Sequence, residues 1–380
     1  MKTAAIICEY DPFHNGHAYL IRKARTELGF ERIVCIMSGN YVQRGAPAVC
    51  DKYLRAKWAL KGGADLVLEI PPLFSTSAAP EFAASAIRIA EASGIIDALV
   101  FGVEEGITFS ALKKEASRDI SAVSSGIREC MRSGLTYPEA LSASDGSFDH
   151  LSANNILAAE YLRAIENAGS SIVPVPVERI GDGFSARLPE NSSFTSATAL
   201  RSLLERHETV EPYVPSYVLE DRYVPVMPDA MTLYLSKALL TEPDLTVFHD
   251  VSREIAGRLA GRKNRIMSFS ERVADTKTRQ YTYARISRAL LHIALGMRKE
   301  DFVKAKENNY ISCLRILGLR KNSPLPSCMK EKAVLPIAGR TAQYEDLLGK
   351  DILYDQLYYS LTGSRGEYDR SPVILDGNDI

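Results

Sequence analysis

None of the six cysteines (Cys8, Cys35, Cys50, Cys130, Cys313, Cys328) stands in a Cys-x-x-Cys pair. That excludes a paired-thiolate zinc framework and a small disulfide scaffold. A membrane-length apolar run is also lacking: the longest mostly apolar stretch, 83–103, carries Arg88, Glu91 and Asp97, so it does not span a bilayer. The apolar run at the N-terminus meets Glu9 and Asp11, too soon for a signal peptide. There is no internal repeat and no low-complexity segment. The formal net charge is only −1, which excludes a chain that is basic throughout. With 46% hydrophobic and 24% charged residues, 380 residues suit two or three globular domains. The expectation is a reduced, soluble, cytoplasmic protein with no membrane partner.

The near-zero charge conceals a division. Residues 1–250 hold 23 Lys and Arg against 32 Asp and Glu, a net −9; residues 251–350 hold 21 against 9, a net +12; residues 351–380 hold 2 against 6. A basic stretch of this size raises the question of an anionic partner.

The first hundred residues alternate short apolar runs with helical periodicity. Runs at 3–8, 32–37, 64–70 and 97–103 predict strands, and 17–28, 51–61 and 79–92 predict helices, the last stopped at Gly94. The strands are continuously apolar, which implies a parallel sheet covered on both faces. Segment 108–168 turns helical, 172–177 adds a further strand, and a helix starts near Ser196. Four prolines between 211 and 228 mark a boundary. Beyond it the periodicity is mostly helical, at 233–240, 255–259, 283–295 and 354–361. The expected architecture is α/β: a Rossmann-like domain with a parallel sheet over 1–210, then a smaller, mostly helical, basic domain over 211–380.

The strongest local signal is Glu9-Tyr10-Asp11-Pro12-Phe13-His14-Asn15-Gly16-His17-Ala18-Tyr19-Leu20, after the first strand and opening the first helix. Ligands bind in such sheets at strand ends and helix N-termini, where unpaired N–H groups suit phosphate. Gly16 permits close backbone approach. Two imidazoles three residues apart can donate to charge growing on a phosphoryl group. A His-x-x-His alone also occurs as ordinary core or surface histidines, and a zinc site would need a third ligand; no metal is assigned.

This turn resembles the His-x-Gly-His signature of the nucleotidylyl transferase superfamily. Ser38-Gly39-Asn40-Tyr41-Val42-Gln43-Arg44-Gly45, Gly62 to Pro71, Phe101-Gly102-Val103-Glu104, Asn154 to Leu162, Ser196 to Arg201 and Lys277 to Ile286 follow in order. Together they resemble the bacterial tRNA(Met) cytidine acetate ligase family. Two departures are Ala46 before Pro47 and Phe194-Thr195 ahead of Ser196. The resemblance implies activation of acetate by ATP, with Mg2+, to acetyl-adenylate. Transfer to the wobble cytidine of elongator tRNA(Met) then yields N4-acetylcytidine. It implies His14 and His17 as catalytic residues and an ATP site of Ile7, Cys8, Glu9, Tyr10, Asp11, Pro12, Phe13, His14, Asn15, Gly16, His17, Ala18, Tyr19 and Leu20, with Gly102, Asn154 and Arg179.

Read as residues, Gly102 ends a strand on the ligand side, Asn154 opens a helix as a cap or a base contact, and Arg179 follows the last strand, placed to clamp phosphate. Ser196 and Thr198 sit at a helix start suited to the β- and γ-phosphates, and Lys23 and Arg44 are candidate phosphate neighbours. In the basic stretch Arg262, Lys263, Arg265, Lys277, Arg279 and Arg285 are candidate tRNA contacts, with Arg288, Arg315, Arg320 and Lys321 beside them and Tyr281, Tyr283 and Tyr310 interleaved. The alternative is a domain whose charge offsets the acidic half. Two other functions stay open: a small-molecule adenylyltransferase making a nucleotide cofactor, and a non-catalytic nucleotide-responsive RNA-binding protein.

Overall fold

The computed structural model describes residues 2–118, 129–130, 140, 143, 152–179, 193–364 and 366–376. Ten strands are present among them: β1 (Thr3–Cys8), β2 (Arg32–Ser38), β3 (Tyr41–Val42), β4 (Ala46–Pro47), β5 (Leu66–Ile70), β6 (Ala98–Val103), β7 (Val173–Glu178), β8 (Leu314–Arg320), β9 (Ile337–Ala338) and β10 (Val373–Leu375). The main sheet runs β10-β8-β5-β2-β1-β6-β7, with β9 on β8. Strands β5, β2, β1, β6 and β7 are mutually parallel. This is the predicted α/β arrangement, and the five sequence-read strands are its parallel part. Helices α1 (Asn15–Thr26) and α2 (Lys52–Lys61) and the helices Ala79–Ser93 and Ala153–Asn167 cover it. Gly94 takes the left-handed conformation (φ 65°) that ends the third of these.

The sheet does not end where the sequence reading ended it. Strand β8 pairs antiparallel with β5, Leu66 opposite Leu319 and Val67 opposite Gly318, and β10 pairs parallel with β8. The run Leu314-Arg315-Ile316-Leu317-Gly318-Leu319-Arg320 is apolar enough for a buried strand, but helical patterns surround it. Gly318 leaves room there: a Cβ would stand 2.9 Å from Leu60 Cδ1 and 3.3 Å from the Val373 carbonyl oxygen, so a larger residue would make its neighbours shift. The sheet thus crosses the expected boundary at 211. The helical part is an excursion between strands: Thr232–Thr241, Arg253–Ala260, Phe269–Thr276, Tyr283–Leu295 and Lys299–Glu307. One hydrophobic core joins Ala5, Leu68 and Phe82 to Leu290 and Tyr358.

Buried charges fasten the C-terminal segment to the sheet. Lys52 Nζ donates to Glu69 at 2.8 Å and pairs with Asp355. Arg315 meets Glu69 (Nε–Oε2 3.1 Å) and Glu367, and Tyr53 Oη donates to Glu367 at 2.6 Å. Burial pushes the Asp355 carboxyl up to about 8. Three carboxyl groups facing two cations balance when one of them holds a proton. Arg315 is therefore a core residue and not an RNA contact. Arg320 likewise donates to the carbonyls of Ala64 and Leu60.

Candidate active site

The sheet reverses its strand order between β1 and β6, and a crevice opens there, the place where open α/β sheets bind ligands. Its space, open mouth included, is about 930 Å³. Predicted residues Ile7, Cys8, Tyr10, His14, Gly16, His17, Tyr19, Leu20, Gly102, Asn154 and Arg179 all line it. The turn before α1 is built by the others. Phe13 is buried, with its ring 4.8 Å from that of Tyr10. Asn15 Nδ2 donates to the carbonyls of Ser193 and Pro212, both at 2.9 Å. Asp11 pairs with Arg44 and accepts from Val49 N at 2.7 Å, and the Asp11–Pro12 peptide is cis. Ala18 packs on the core beneath α1. Glu9 accepts from Gln43 N at 2.7 Å, and burial raises its carboxyl above the ordinary value.

His14 is the N-cap of α1. Its Nδ1 accepts from Gly16 N at 3.1 Å, while His14 N donates to His17 Nδ1 at 3.2 Å. The two rings stack with centroids 3.6 Å apart. Burial is the main cause holding both imidazoles far below the ordinary histidine range, His14 at about 3, with Arg179 adding to it. Both rings are thus neutral at pH 7, and because each Nδ1 accepts, each proton sits on Nε2. Gly16 permits this arrangement: a Cβ there would lie 2.9 Å from His14 Cε1. The expectation of free amides at the helix start is corrected, because Gly16 N–H serves His14 and Asn15 N–H serves the Tyr213 carbonyl. The donors on offer are the two Nε2–H groups.

Neutral histidines also set an acid limit. Unfolded histidine binds its proton near pH 6.5 and folded His14 only near 3, so between these values the unfolded state holds more protons. Stability is expected to be full above about pH 6.5 and to fall as pH drops towards 3, which melting temperatures at pH 7 and pH 5 would check.

On the opposite wall Asn154 Nδ2 donates to Glu104, and Arg179 Nε lies 3.5 Å from the same carboxylate. Ser152, not Asn154, caps the helix Ala153–Asn167. At Gly102 a Cβ would stand 3.1 Å from Arg179 Cγ. Gly102→Ala is expected to push that side chain aside and weaken binding of an anion held by Arg179 roughly fivefold, about 1 kcal/mol of charge-assisted bonding. Equilibrium binding of a nucleoside triphosphate to both proteins would check this.

The sequence reading missed several groups. Tyr161, Leu157 and Phe101 line the apolar side, and Thr195 lines the crevice with a buried Oγ1 lacking a hydrogen-bond partner. Ser196 caps the helix Ala197–Glu205, accepting from Ala199 N at 3.1 Å, and Thr198 accepts from Arg201 Nη2 at 3.0 Å. Arg201 Nη1 donates to the Asp11 carbonyl at 2.9 Å, tying this helix to the turn. Ser196 and Thr198 themselves do not line the crevice. Nor are the two expected phosphate neighbours free: Arg44 pairs with Asp11, and Lys23 Nζ bonds Tyr19 Oη at 3.0 Å.

The basic candidates divide. Arg285 pairs with Asp250, and Arg262 donates to the Asp275 carbonyl at 3.1 Å and pairs with its carboxylate. Lys263, Arg265, Lys277 and Arg279 are exposed. Tyr310 packs on Phe74 (5.1 Å), Tyr281 bonds Glu254 (2.8 Å), and Lys321 pairs with Asp376. His249, Asp250 and His292 bring ligand-type atoms within 4.8 Å of one another. Arg285 and Arg288 face that carboxylate and disfavour a cation. No helix of the described residues is long and apolar enough to cross a membrane.

The HIGH Nucleotidyl Transferase family matches residues 1–371. A tRNA(Met) cytidine acetate ligase of Clostridium kluyveri is 32% identical, over 99% of this chain and 100% of that protein. One from Streptococcus sanguinis is 37% identical, over 79% of this chain and 81% of that protein. Two crystal structures of Thermotoga maritima TmcAL, one apo and one bound with alpha-thio ATP, align with TM-scores of 0.89 and 0.87. Their identities are 26% and 27%, and each covers 99% of this chain and 100% of that chain. With the His-x-Gly-His turn at the switch point of the sheet and these likenesses along nearly its whole length, the chain belongs to the HIGH nucleotidyl transferase family, among the tRNA(Met) cytidine acetate ligases.

Proposed function

We propose that the chain is a cytoplasmic ATP-dependent ligase that converts acetate to acetyl-adenylate and passes the acetyl group to the wobble cytidine of elongator tRNA(Met), forming N4-acetylcytidine. The observation that carries this reading is the stacked, neutral His14–His17 pair at the crevice. An acetate oxygen attacks the α-phosphorus in line and pyrophosphate leaves. No side-chain nucleophile is needed, because the acid itself attacks. The two Nε2–H groups donate to the phosphoryl oxygens as charge grows on them, and Arg179 supplies fixed positive charge. Neutral donors suit this step because they remain donors over the whole neutral pH range. Tyr161, Phe101 and Asn154 would take the adenosine, and Thr195, whose buried Oγ1 has no hydrogen-bond partner, the far phosphates, while Ser196 and Thr198 hold the helix start behind it.

A magnesium ion arriving with ATP would neutralise charge on the leaving pyrophosphate. Glu178 is the one carboxylate among the described lining residues, which fits an ion held by phosphate oxygens and water and not by a protein cage. In the second step the cytidine N4 attacks the acetyl carbon, the C–N bond forms, AMP departs and one amine proton is lost.

The helices between 228 and 307, inside the segment expected at 211–380, form the RNA platform. Its contacts are the exposed Lys263, Arg265, Lys277 and Arg279, while Arg262 and Arg285 shape the surface from within ion pairs. Replacing the four exposed cations by Gln is expected to flatten the plot of log affinity for tRNA against log salt by about three units. Gel shifts at several salt concentrations would measure it, and an unchanged slope would place the RNA elsewhere.

Labelled acetate, ATP and a tRNA(Met) transcript test the function as a whole. The label should appear in the wobble cytidine and not in a transcript carrying uridine there. A cofactor-making adenylyltransferase would ignore acetate, and a non-catalytic binder would label nothing.

A further inference from the structure

Between the helices Arg253–Ala260 and Phe269–Thr276 lies a short loop, Gly261 to Ser268. Its tip is Ile266, which at 104% relative exposure is the most exposed large hydrophobic residue among those described. Lys263, Asn264 and Arg265 beside it are exposed as well. Eight residues between helices would ordinarily be loose, yet this loop is braced from beneath. The buried Arg272 donates Nη1 to the Arg262 carbonyl at 2.9 Å and Nη2 to the Arg265 carbonyl at 2.5 Å. Arg265 N donates to the Arg262 carbonyl at 3.0 Å, and the Arg262–Asp275 pair fixes the loop's first side.

A buried guanidinium committed to two carbonyls holds the tip in one shape before any partner arrives. A single exposed apolar residue is unremarkable on a mixed surface. Here it stands on a braced loop, directly after the exposed cations Lys263 and Arg265, in the stretch with a net charge of +12. Cations beside an apolar wedge can meet the neighbouring phosphates, and apolar side chains, isoleucine included, insert between bases.

We propose that the 261–268 loop is a pre-formed RNA finger whose Ile266 wedges against an unstacked base in a single-stranded loop of the tRNA, with Lys263 and Arg265 on the flanking phosphates. This rests on the RNA reading above and adds the element that opens the stack. RNA is recognised mostly at such loops, whose bases can be splayed out. The pre-ordered tip lowers the entropy lost on binding.

The test is Ile266→Ser in the full chain, with tRNA(Met) transcript as probe. Ile266 is fully exposed, so the melting temperature should hold. The expected result is a roughly tenfold fall in kcat/KM for tRNA acetylation, within the range for losing one base contact. The salt slope of tRNA binding should stay as in the wild type, because no charge is removed, and Ile266→Met should restore most of the rate. A benzophenone side chain at 266 should crosslink to a loop nucleotide. Acetylation by Ile266→Ser within twofold of wild type overturns the finger and leaves the ligase reading intact. A changed oligomeric state with normal acetylation assigns the tip to contacts between copies of the chain, and also overturns it. Failure of the wild type to acetylate the transcript removes both readings.

Discussion

His17→Ala is expected to lower acetate-dependent pyrophosphate exchange by roughly 10²–10³-fold, the usual cost of deleting one donor aimed at developing charge. The rate loss should come mainly in kcat, since the donor matters most when charge has moved onto the phosphoryl oxygens. His14→Ala should match it in rate and lose stability as well. His14 is 5% exposed and caps α1 through Gly16 N, and such caps are worth about 0.5–2 kcal/mol. The sequence reading gave both histidines a catalytic role and did not show that His14 also caps the helix. His14→Asn separates the two roles, because Asn caps well but offers no imidazole, and it should recover stability without rate. Rapid-quench measurement of acetyl-adenylate with parallel thermal melts reads both. Near-normal exchange in His17→Ala would remove the imidazoles from the mechanism.

Lys52→Met should be the most damaging substitution for folding. It deletes the ammonium between Glu69 and Asp355 and leaves buried carboxylates facing only Arg315. Removing one partner from a buried ion group typically costs about 3–5 kcal/mol, a large part of the 5–15 kcal/mol that holds a domain together. The loss should fall first on the attachment of the helix Lys350–Thr362, whose Asp355 also accepts from Asn40 at 2.8 Å. Urea unfolding read at tyrosine would show the lower midpoint. A loss below about 1 kcal/mol would mean that the cluster is well solvated and not a fastening.

The parallel half of the sheet and the His-x-Gly-His turn were legible because their determinants are local. Runs such as Thr3–Cys8 can hardly be anything but buried strands, and Gly16 between two histidines speaks for itself at a strand-to-helix turn. What stayed hidden depends on distant pairs. Lys52, Glu69, Arg315, Asp355 and Glu367 span more than three hundred residues, so Arg315 counted as surface charge until its partners were seen. Arg285 looked like a phosphate contact because Asp250 is 35 residues away. Strand β8 was masked by the helical patterns around it, and its partner β5 lies some 250 residues earlier. The histidine tautomers were out of reach as well, since they follow from which backbone N–H each Nδ1 accepts.

The proposed adenylation of acetate at the neutral histidine pair is measured most directly by exchange of labelled pyrophosphate into ATP, on the full chain without RNA. Exchange should require acetate, persist without tRNA, and fall roughly 10²–10³-fold in His17→Ala. Exchange that proceeds equally without acetate, or that appears only when tRNA is added, would contradict an acetyl-adenylate formed in this crevice.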